Sequence, residues 1–419
     1  MARSTHAVVV GGGIGGLTAA VALHRRGWRV TVLERAASLA PVGAGITLAP
    51  NALRALDVIG LGDEIRDLAA WQGDGGLRTP GGRWLSRVDA AALAERFGGP
   101  LVVLHRASLI TSLAARLPEG SIRTASGATL LDPGESTGAP ARIGTPDGEL
   151  EAGLVVGADG INSAVRGTLF PEHPGPVYAG FTSWRLVIPV PGLRFASHET
   201  WGPGHLWGTH PLKDGRVYAY AAALAPAGQR APDDEKAELL RRYGDWHDPI
   251  PAVLDAAAPA DVLRHDVHHI AKPLPAFHRG RVALLGDAAH AMPPTLGQGG
   301  NQAIEDAVVL AHHAGPHGTG SGRELPGLAA YTADRRSRTT AIARQAVRVA
   351  RLNMTRNRVG AALRDTAVST LSKAAPAFFL RGFDGIADWR PPGPPYASDD
   401  VRSPEWTPRN PAHPSRRLP

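Results

Sequence analysis

The sequence predicts an α/β fold, in which a Rossmann-like nucleotide-binding domain is joined to a second domain with a mainly antiparallel β-sheet. Two observations predict this fold. A glycine-rich turn lies between a short apolar strand and a helix near the start of the chain, and a later region holds strand-like runs of β-branched and aromatic residues separated by turns. The length of 419 residues is sufficient for two to three domains.

The glycine-rich turn belongs to a complete βαβ unit. It matches the pattern GxGxxG at Gly11, Gly13 and Gly16, and the second strand of the unit ends at Glu34. Glycines let the backbone approach a pyrophosphate, and the free N–H groups at the helix start face its charge. An acid about 20 residues further on can accept hydrogen bonds from a ribose. The unit therefore predicts a dinucleotide site, although its position does not distinguish FAD from NAD.

Two further motifs follow predicted strands. The first, GADGINSAVR, occupies residues 157–166, and the second, GDAAHAMPP, begins at residue 286. The second motif continues through the glycine turn GQGGN into a helix that begins QAIED. The N–H groups at the start of a helix are unpaired and carry partial positive charge, so this turn predicts a second polarised helix start.

Together these motifs resemble those of the single-component flavoprotein monooxygenases, the group A family of 4-hydroxybenzoate, 3-hydroxybenzoate and salicylate hydroxylases. GGGIGG with Glu34, GADGINSAVR, and GDAAHAMPP with GQGGNQAIED occur in the order of the family. The pair His105-Arg106 and the segment 246–250, WHDPI, match further family elements. The resemblance extends over residues 6–350.

The resemblance implies a bound FAD, and we expect it to be non-covalent because the chain has no cysteine for a thioether link, although a histidine link is chemically possible. It implies that the first turn holds the pyrophosphate, that Glu34 and Arg35 lie at the adenosine, and that Arg106 reaches the ribityl–phosphate region. Asp287 would accept hydrogen bonds from the ribityl hydroxyls. The residues expected to bind the cofactor are Gly11, Gly13, Ile14, Gly15, Gly16, Glu34, Arg35, Ala44, Gly45, Arg106, Asp159, Asp287, Gly300 and Asn301.

Several of these residues have alternative interpretations. Segment 43–46 is expected to pass close to the isoalloxazine, and backbone N–H groups of Gly300 and Asn301 would stabilise the reduced, anionic flavin. Asp159 and Arg166 can instead form a local polar network, or contact the nicotinamide cosubstrate as the family implies. His290 is interpreted as structural, and the histidines at 265–269 as part of a surface strand, so no metal site is predicted.

The resemblance also implies a discontinuous FAD-binding domain. We assign it to residues 1–70, 97–172 and 274–360, and the substrate domain to residues 71–96 and 173–273. Residues 361–390 are expected to form C-terminal helices. Nine prolines after residue 390 predict a disordered tail over residues 391–419.

The substrate cavity is expected between the antiparallel sheet and the flavin. The candidate lining residues are Thr47, Trp201, His205, Trp207, His210 and Pro294. Of these, His205, His210 and Pro294 are the candidates for a catalytic role, since a histidine of ordinary pKa suits deprotonation of a phenol. Alternate residues of a strand face opposite ways, and the sequence does not tell which of the sets 205/207/209 and 206/208/210 faces the cavity.

The implied function is hydroxylation of a small aromatic, phenolic molecule, with secondary metabolism as one setting. NADH or NADPH would reduce the FAD, and dioxygen would then form a flavin C4a-hydroperoxide that transfers oxygen. Epoxidation and Baeyer–Villiger insertion on the same scaffold are alternatives, and a non-catalytic FAD- or ligand-binding protein is an alternative of another class. A halogenase is disfavoured because the segment WRLVIP keeps only part of the WxWxIP signature.

Charge and composition restrict the partners. The formal net charge is +7, and residues 323–373 carry eleven Arg and Lys against three Asp and Glu. Arg344, Arg348 and Arg351 share one helix face. This face has three interpretations: it is exposed to solvent, it forms a dimer contact, or it attracts an anionic cosubstrate. Few aromatic residues accompany this charge, so nucleic-acid binding is not expected. We expect a cytoplasmic monomer or homodimer with no membrane span.

Overall fold

The computed structural model describes residues 6–39, 44–70, 74–315, 327–374 and 382–393. Gly43 and most of the expected tail lie outside these residues. The strands, numbered in chain order, are β1 His6–Val10, β2 Arg29–Leu33, β3 Gly45–Leu48, β4 Gly76–Arg78, β5 Trp84–Arg87, β6 Val102–His105, β7 Ile122–Arg123, β8 Thr129–Asp132, β9 Ala141–Thr145, β10 Gly148–Ala152, β11 Leu154–Gly157, β12 Val177–Pro189, β13 His198–Gly202, β14 His205–Pro211, β15 Arg216–Leu224, β16 Leu263–His269, β17 His278–Arg279 and β18 Val282–Leu284.

Most helices up to α8 lie between strands, and α9 to α12 follow the last strand. They are α1 Ile14–Arg25, α2 Pro50–Val58, α3 Gly62–Asp67, α4 Ala90–Phe97, α5 Arg106–Ala114, α6 Ala164–Leu169, α7 Glu235–Tyr243, α8 Ile250–Ala256, α9 Asp287–His290, α10 Gly299–His313, α11 Gly327–Asn353 and α12 Arg358–Ala374. None of the helices in the described ranges has the length and apolar character needed to cross a membrane.

The first sheet that the described residues form has the strand order β17-β18-β11-β1-β2-β7. Its strands are parallel except for β17, and α1 and α10 pack with them into one apolar core. Because parallel strands end at the same edge, this edge brings together the turn after β1, Glu34 after β2, the loop after β11 and Asp287 after β18. The predicted α/β fold with a Rossmann-like domain is confirmed.

The second large sheet has the order β16-β12-β15-β14-β13-β4-β5 and is antiparallel apart from the β13–β4 pair. Helices α7 and α8 cover its outer face, where Trp184, Trp207 and Ala221 lie in one apolar cluster with Tyr243 and Ile250. Its inner face carries the alternate residues, and Tyr218 of that face reaches β3. Two smaller sheets, β10-β9-β8 and β3-β6, complete the described strands.

A buried ionic network fixes α10 against α11. The Arg335 guanidinium lies 2.6 Å from Glu305 Oε2 and 2.7 Å from Asp306 Oδ1, and all three side chains are almost completely buried. His290 Nε2 lies 2.5 Å from Asp306 Oδ2. Burial alone would raise the pKa of the Asp306 carboxyl, but the charges of His290 and Arg335 hold this pKa at about 2. The Asp306 carboxylate therefore depends on the groups packed against it.

The network generates a prediction about stability. In the variant Arg335→Met, two buried carboxylates lose their shared cation, so we expect the free energy of unfolding to fall by about 3–5 kcal/mol. The control Arg142→Met removes an exposed pair with Glu149 at 3.3 Å, for which a loss of at most about 1 kcal/mol is expected. Urea unfolding of both apoproteins measures the difference. Equal losses would mean that the buried network contributes nothing beyond a surface ion pair.

Candidate cofactor and active site

The glycines of the turn after β1 let neighbouring backbone segments pack closely together. Gly11 has φ +110°, and a Cβ on Gly11 would overlap the carbonyl oxygen of Ala158. A Cβ on Gly16 would in turn overlap the carbonyl of Gly11, so these positions exclude larger residues. A Cβ on Gly13 would instead meet only the Arg106 guanidinium, at 3.9 Å. The turn is thus packed on one side and open on the side that Arg106 faces.

The start of α1 is free of side-chain caps. Gly13 is the N-cap residue, and no side chain of the described residues accepts a hydrogen bond from the first turn of this helix. The first N–H groups of α1 therefore point into the open side of the turn with their partial positive charge unneutralised. This arrangement suits a phosphate group.

Glu34 is held at the end of β2 by two backbone donors. The N–H of Gly12 donates to Glu34 Oε2 at 2.7 Å, and the N–H of Ala36 donates to Oε1 at 2.8 Å. A carboxylate has about four acceptor positions, so two positions remain for ribose hydroxyls. Arg35 is exposed beside it.

Arg106 begins α5 directly after β6, is half-buried, and forms no ion pair with a carboxylate of the described residues. Its Nε is buried and makes no hydrogen bond to any described residue. Burial lowers the pKa of the guanidinium, the charge of Arg185 lowers it further, and Asp287 opposes the shift. A partly buried guanidinium without an ion pair is costly, so Arg106 fits an anionic group in the space between itself and the Gly13 turn. The donor set of this turn and Arg106 matches a diphosphate.

Asp287 and the start of α10 face each other. Asp287 is exposed, and its Oδ1 lies 3.9 Å from the position of a Cβ on Gly299. No side chain in the described part of the chain caps α10. The Asn301 amide donates to the carbonyls of Thr47 at 2.9 Å and Gly297 at 2.7 Å. The Asn301 side chain thus links α10 to β3. The backbone N–H of Asn301 remains available to bind a flavin.

The Asp159 carboxylate is used within its own loop. It accepts hydrogen bonds from the Ser163 hydroxyl at 2.5 Å and from the N–H of Val165 at 3.1 Å. Arg166 of the same motif donates to the carbonyls of Ile161 and Ala288, at 2.7 and 3.1 Å. These contacts form a local polar network, which is one of the two interpretations given above for Asp159 and Arg166. Contact between Asp159 and the cofactor stays a prediction.

The inner face of the large sheet carries the even-numbered residues of β14. The structure corrects the expectation for His205 and Trp207, which lie on the outer face and pack against Tyr243, at 5.8 and 5.3 Å between ring centroids. The cause is that α7 and α8 cover the outer face, which sequence alternation alone does not reveal. Trp201, Gly208 and His210 belong to the inner face, and only this face reaches β3.

His210 is enclosed by two tyrosines. Its ring stacks on Tyr218 and Tyr220, with centroids 5.9 and 5.6 Å away, and Nδ1 is hydrogen-bonded to the Ser197 hydroxyl. Its Nε2 is buried and has no partner among the described residues. Burial lowers the pKa of the imidazole to about 3. A histidine of ordinary pKa was expected as a base, whereas His210 is a neutral hydrogen-bonding group.

Glu199 was not anticipated from the sequence. It accepts hydrogen bonds from the Tyr220 hydroxyl at 2.6 Å and from the indole N–H of Trp201. Burial raises the pKa of the Glu199 carboxyl, and the two hydrogen bonds oppose that shift. Tyr218 and Tyr220 were missed as well, although their spacing of two residues in a strand-like run was a usable signal. A Cβ on Gly45 would overlap the Tyr218 ring, so this tyrosine presses on β3.

Two cavity candidates, Thr47 and Pro294, lie outside the large sheet. Thr47 is half-buried in β3, and Pro294 is exposed at the start of a short 3₁₀ helix that precedes α10. No group of three or more His, Cys, Asp or Glu in the described ranges has the arrangement of a metal site.

The geometry defines a class of protein: an α/β nucleotide-binding enzyme whose phosphate-binding turn, acidic ribose acceptor and polarised second helix face one groove. The family model described as FAD binding domain matches residues 4–346, and the chain belongs to this family. It is an FAD-dependent monooxygenase, an oxidoreductase that carries FAD.

Relatives agree with this assignment. The chain is 38% identical to the aurachin C monooxygenase/isomerase of Stigmatella aurantiaca over 307 residues, which cover 73% of this chain and 79% of the relative. It is 34% identical to the 3-amino-4-hydroxybenzoate 2-monooxygenase of Streptomyces cremeus over 324 residues, with coverage of 74% and 78%. The structure of Klebsiella pneumoniae HpxO with FAD and uric acid matches with a TM-score of 0.80 and 26% identity, covering 91% of this chain and 96% of that chain.

Arg106 gives a prediction that separates cofactor binding from stability. In Arg106→Met, the loss of a charged partner for phosphate is expected to raise the FAD dissociation constant by roughly 10- to 100-fold. The apoprotein is expected to keep its stability, because the substitution removes a partly buried charge that has no ion pair among the described residues. Flavin fluorescence titration and urea unfolding of the apoprotein measure the two quantities. A drop in stability as large as the drop in affinity would assign Arg106 a structural role instead.

Asp287 gives a second prediction about the cofactor. Asp287→Ala leaves the ribityl hydroxyls without an acceptor, so we expect FAD binding to weaken by roughly 1–3 kcal/mol. The exposed Asp255 of α8 is the matched control, and Asp255→Ala is expected to leave FAD affinity unchanged. The measurement is the FAD dissociation constant of each apoprotein. Equal affinities in the two variants would show that Asp287 does not hold the ribityl chain.

Proposed function

We propose that this monooxygenase hydroxylates a small, electron-rich aromatic molecule with a phenolic hydroxyl, using NADH or NADPH and dioxygen, in secondary metabolism. The observation that carries the proposal is the inner face of the large sheet, where two tyrosine rings and a neutral histidine lie opposite β3. Aromatic walls with few, fixed polar groups are typical of sites for small aromatic ligands. Bound FAD would supply hydride acceptance from NAD(P)H and the activation of dioxygen.

The protein's own residues would hold the cofactor as follows. The N–H groups of the Gly11–Gly16 turn and Arg106 would bind the diphosphate, Glu34 the adenosine ribose, and Asp287 the ribityl chain. The backbone N–H groups of α10 would face the flavin pyrimidine edge, where partial positive charge favours a reduced, anionic ring. The support is that these groups have unused hydrogen-bonding capacity on the side of one groove.

His210 would orient the substrate rather than remove its proton. With a pKa of about 3 the imidazole is neutral near pH 7. The Ser197 hydroxyl can donate to Nδ1 or accept from it, so Nε2 is free to serve as either donor or acceptor. A phenolic hydroxyl seated between the tyrosines would complete the unfilled hydrogen bond of Nε2. Tyr218 would pack the ring against β3, which helps keep water out.

The names of the relatives support an aromatic substrate with polar substituents. They include 3-amino-4-hydroxybenzoate 2-monooxygenase, FAD-dependent urate hydroxylase and 6-hydroxynicotinate 3-monooxygenase. We extend this class, and no individual compound, to the present chain. We further propose that the enzyme works in the cytoplasm as a monomer or homodimer, as expected from the sequence.

We also propose the domain division given above. The parallel strands β1, β2, β11 and β18 fall within the three FAD-domain segments, which supports their assignment to one unit. Strands β4 and β5 fall within residues 71–96, and β12–β16 within residues 173–273. These seven strands form the second large sheet, which supports a single substrate domain.

The function is tested by incubating the FAD-loaded protein with NADH or NADPH and a panel of hydroxybenzoates, aminohydroxybenzoates, hydroxypyridines and hydroxyquinolines. At least one phenolic compound is expected to accelerate NAD(P)H oxidation and to gain one oxygen atom from isotopically labelled dioxygen, detected by mass spectrometry. Compounds that bind without NAD(P)H consumption or product would contradict the proposal and favour a binding protein.

Two histidines of β14 form a matched pair for the cavity assignment. His210→Asn is expected to lower kcat/KM for the identified substrate by roughly 2- to 13-fold, the value of one hydrogen bond. It should also release more peroxide per NAD(P)H consumed, because the substrate is less firmly placed. His205→Asn, on the outer face, is expected to leave both quantities unchanged. An equal fall in both variants would mean that β14 does not divide into a cavity face and an outer face.

A further inference from the structure

A groove lies along one side of α11. It runs between α11 and residues 269–277, has a volume of about 320 Å³, and is called the α11 groove below. Its floor is apolar and includes Ile270, Phe277 and Val347. This volume is at the lower end of the range typical of ligand sites.

Three arginines of one helix face line the α11 groove. Arg344, Arg348 and Arg351 are all exposed, and none of them forms an ion pair with a described carboxylate. Residues three and four apart are neighbours on a helix, so the three guanidiniums repel one another without a compensating charge. Their field also reaches His269, whose pKa is lowered first by burial and then by the charge of Arg351. The groove is therefore a concentrated site of positive charge.

A second, independent feature belongs to the lining of the same groove. His290 lies among its lining residues, is only 5% exposed, and its Nδ1 has no hydrogen-bond partner among the described residues. The other ring nitrogen, Nε2, is bound to Asp306. A buried polar atom without a partner is costly and calls for a ligand or water. The lining of the groove thus combines three cations with a buried ring nitrogen that has no hydrogen-bond partner among the described residues.

We propose that the α11 groove binds the diphosphate of the nicotinamide cosubstrate. Guanidinium groups bind phosphate oxygens bidentately, and three of them match the charge of a diphosphate better than that of a single carboxylate. Among the reactants of the proposed reaction, NAD(P)H is the one that carries this group. The sequence offers no second GxGxxG turn after a strand for it. This inference rests on the proposed use of NADH or NADPH.

The α11 groove and the expected ribityl site share helix α9. Helix α9 is four residues long, from Asp287 to His290. At about 1.5 Å rise per residue, its two ends are separated by roughly 5 Å. Asp287 faces the start of α10, while His290 lines the groove, so one short helix separates the proposed diphosphate site from the ribityl acceptor.

The test uses ADP-ribose, which carries the diphosphate and cannot reduce flavin, and inorganic pyrophosphate. Binding to the FAD-loaded protein is measured by isothermal titration calorimetry. Arg348→Gln and Arg351→Gln are each expected to weaken ADP-ribose binding by about tenfold or more, the value of a charged hydrogen bond. Arg358→Gln removes an equal charge from an exposed arginine that does not line the groove, and is expected to leave binding unchanged.

Anaerobic flavin reduction provides the second measurement. In the two groove variants, the NADH or NADPH concentration for half-maximal reduction is expected to rise by the same factor, with an unchanged limiting rate constant. Unchanged flavin content and melting temperature would show that the exposed substitutions leave the fold intact.

The outcomes separate this inference from the proposed function. ADP-ribose binding with equal affinity in all variants overturns the groove assignment and leaves the monooxygenase proposal standing. Binding of pyrophosphate without ADP-ribose overturns the dinucleotide as occupant and indicates another phosphate compound. Reduction of the flavin by NAD(P)H, with no binding of either probe, also overturns the inference. Failure of NAD(P)H to reduce the flavin overturns both.

Discussion

The contact of Arg335 with Glu305 and Asp306 is the interaction on which the arrangement of the cofactor side of the molecule depends. Both carboxylates lie on α10, and the arginine on α11 holds them in a fully buried position. Asn51 of α2 adds a hydrogen bond to Glu305 at 2.6 Å, and His290 of α9 adds one to Asp306. Burying such charges gains little stability over an apolar core. The network instead fixes the direction of α10, because side chains from α2, α9 and α11 all bind to its two carboxylates.

A fixed α10 matters because its first turn is left for a ligand. Some helix starts are capped by the chain itself: the Asp89 side chain accepts from two N–H groups of α4, and the Asp234 side chain accepts from Ala237 of α7. At α1 and α10, no side chain of the described residues takes this role. Helices α2, α3, α5 and α8 also lack a side-chain cap, so the missing cap alone does not mark a ligand site. The starts of α1 and α10 differ because the first faces Arg106 and the second faces Asp287, and we expect the anionic parts of FAD to lie there.

The sequence predicted the parts of the molecule that are determined locally. The βαβ unit and the motif at Asp287 follow from glycine spacing and from strands that end at one edge. The cavity face did not follow, because alternation along β14 gives two sets of residues and only the packing of α7 and α8 decides between them. His205 and His210 have the same side chain, yet one packs on Tyr243 and the other between two tyrosines. The altered pKa of His210 likewise comes from neighbours on other strands.

The electrostatics of the inner face restrict the form in which a substrate can bind. His210 is neutral, and Glu199 already accepts hydrogen bonds from Tyr220 and Trp201, so neither offers a positive charge. Arg185 is the cation near this face, and its charge acts on the pKa values of both Tyr218 and Arg106. A phenol would therefore bind by stacking and by a hydrogen bond to His210, whereas a carboxylate substituent would need Arg185 as its partner.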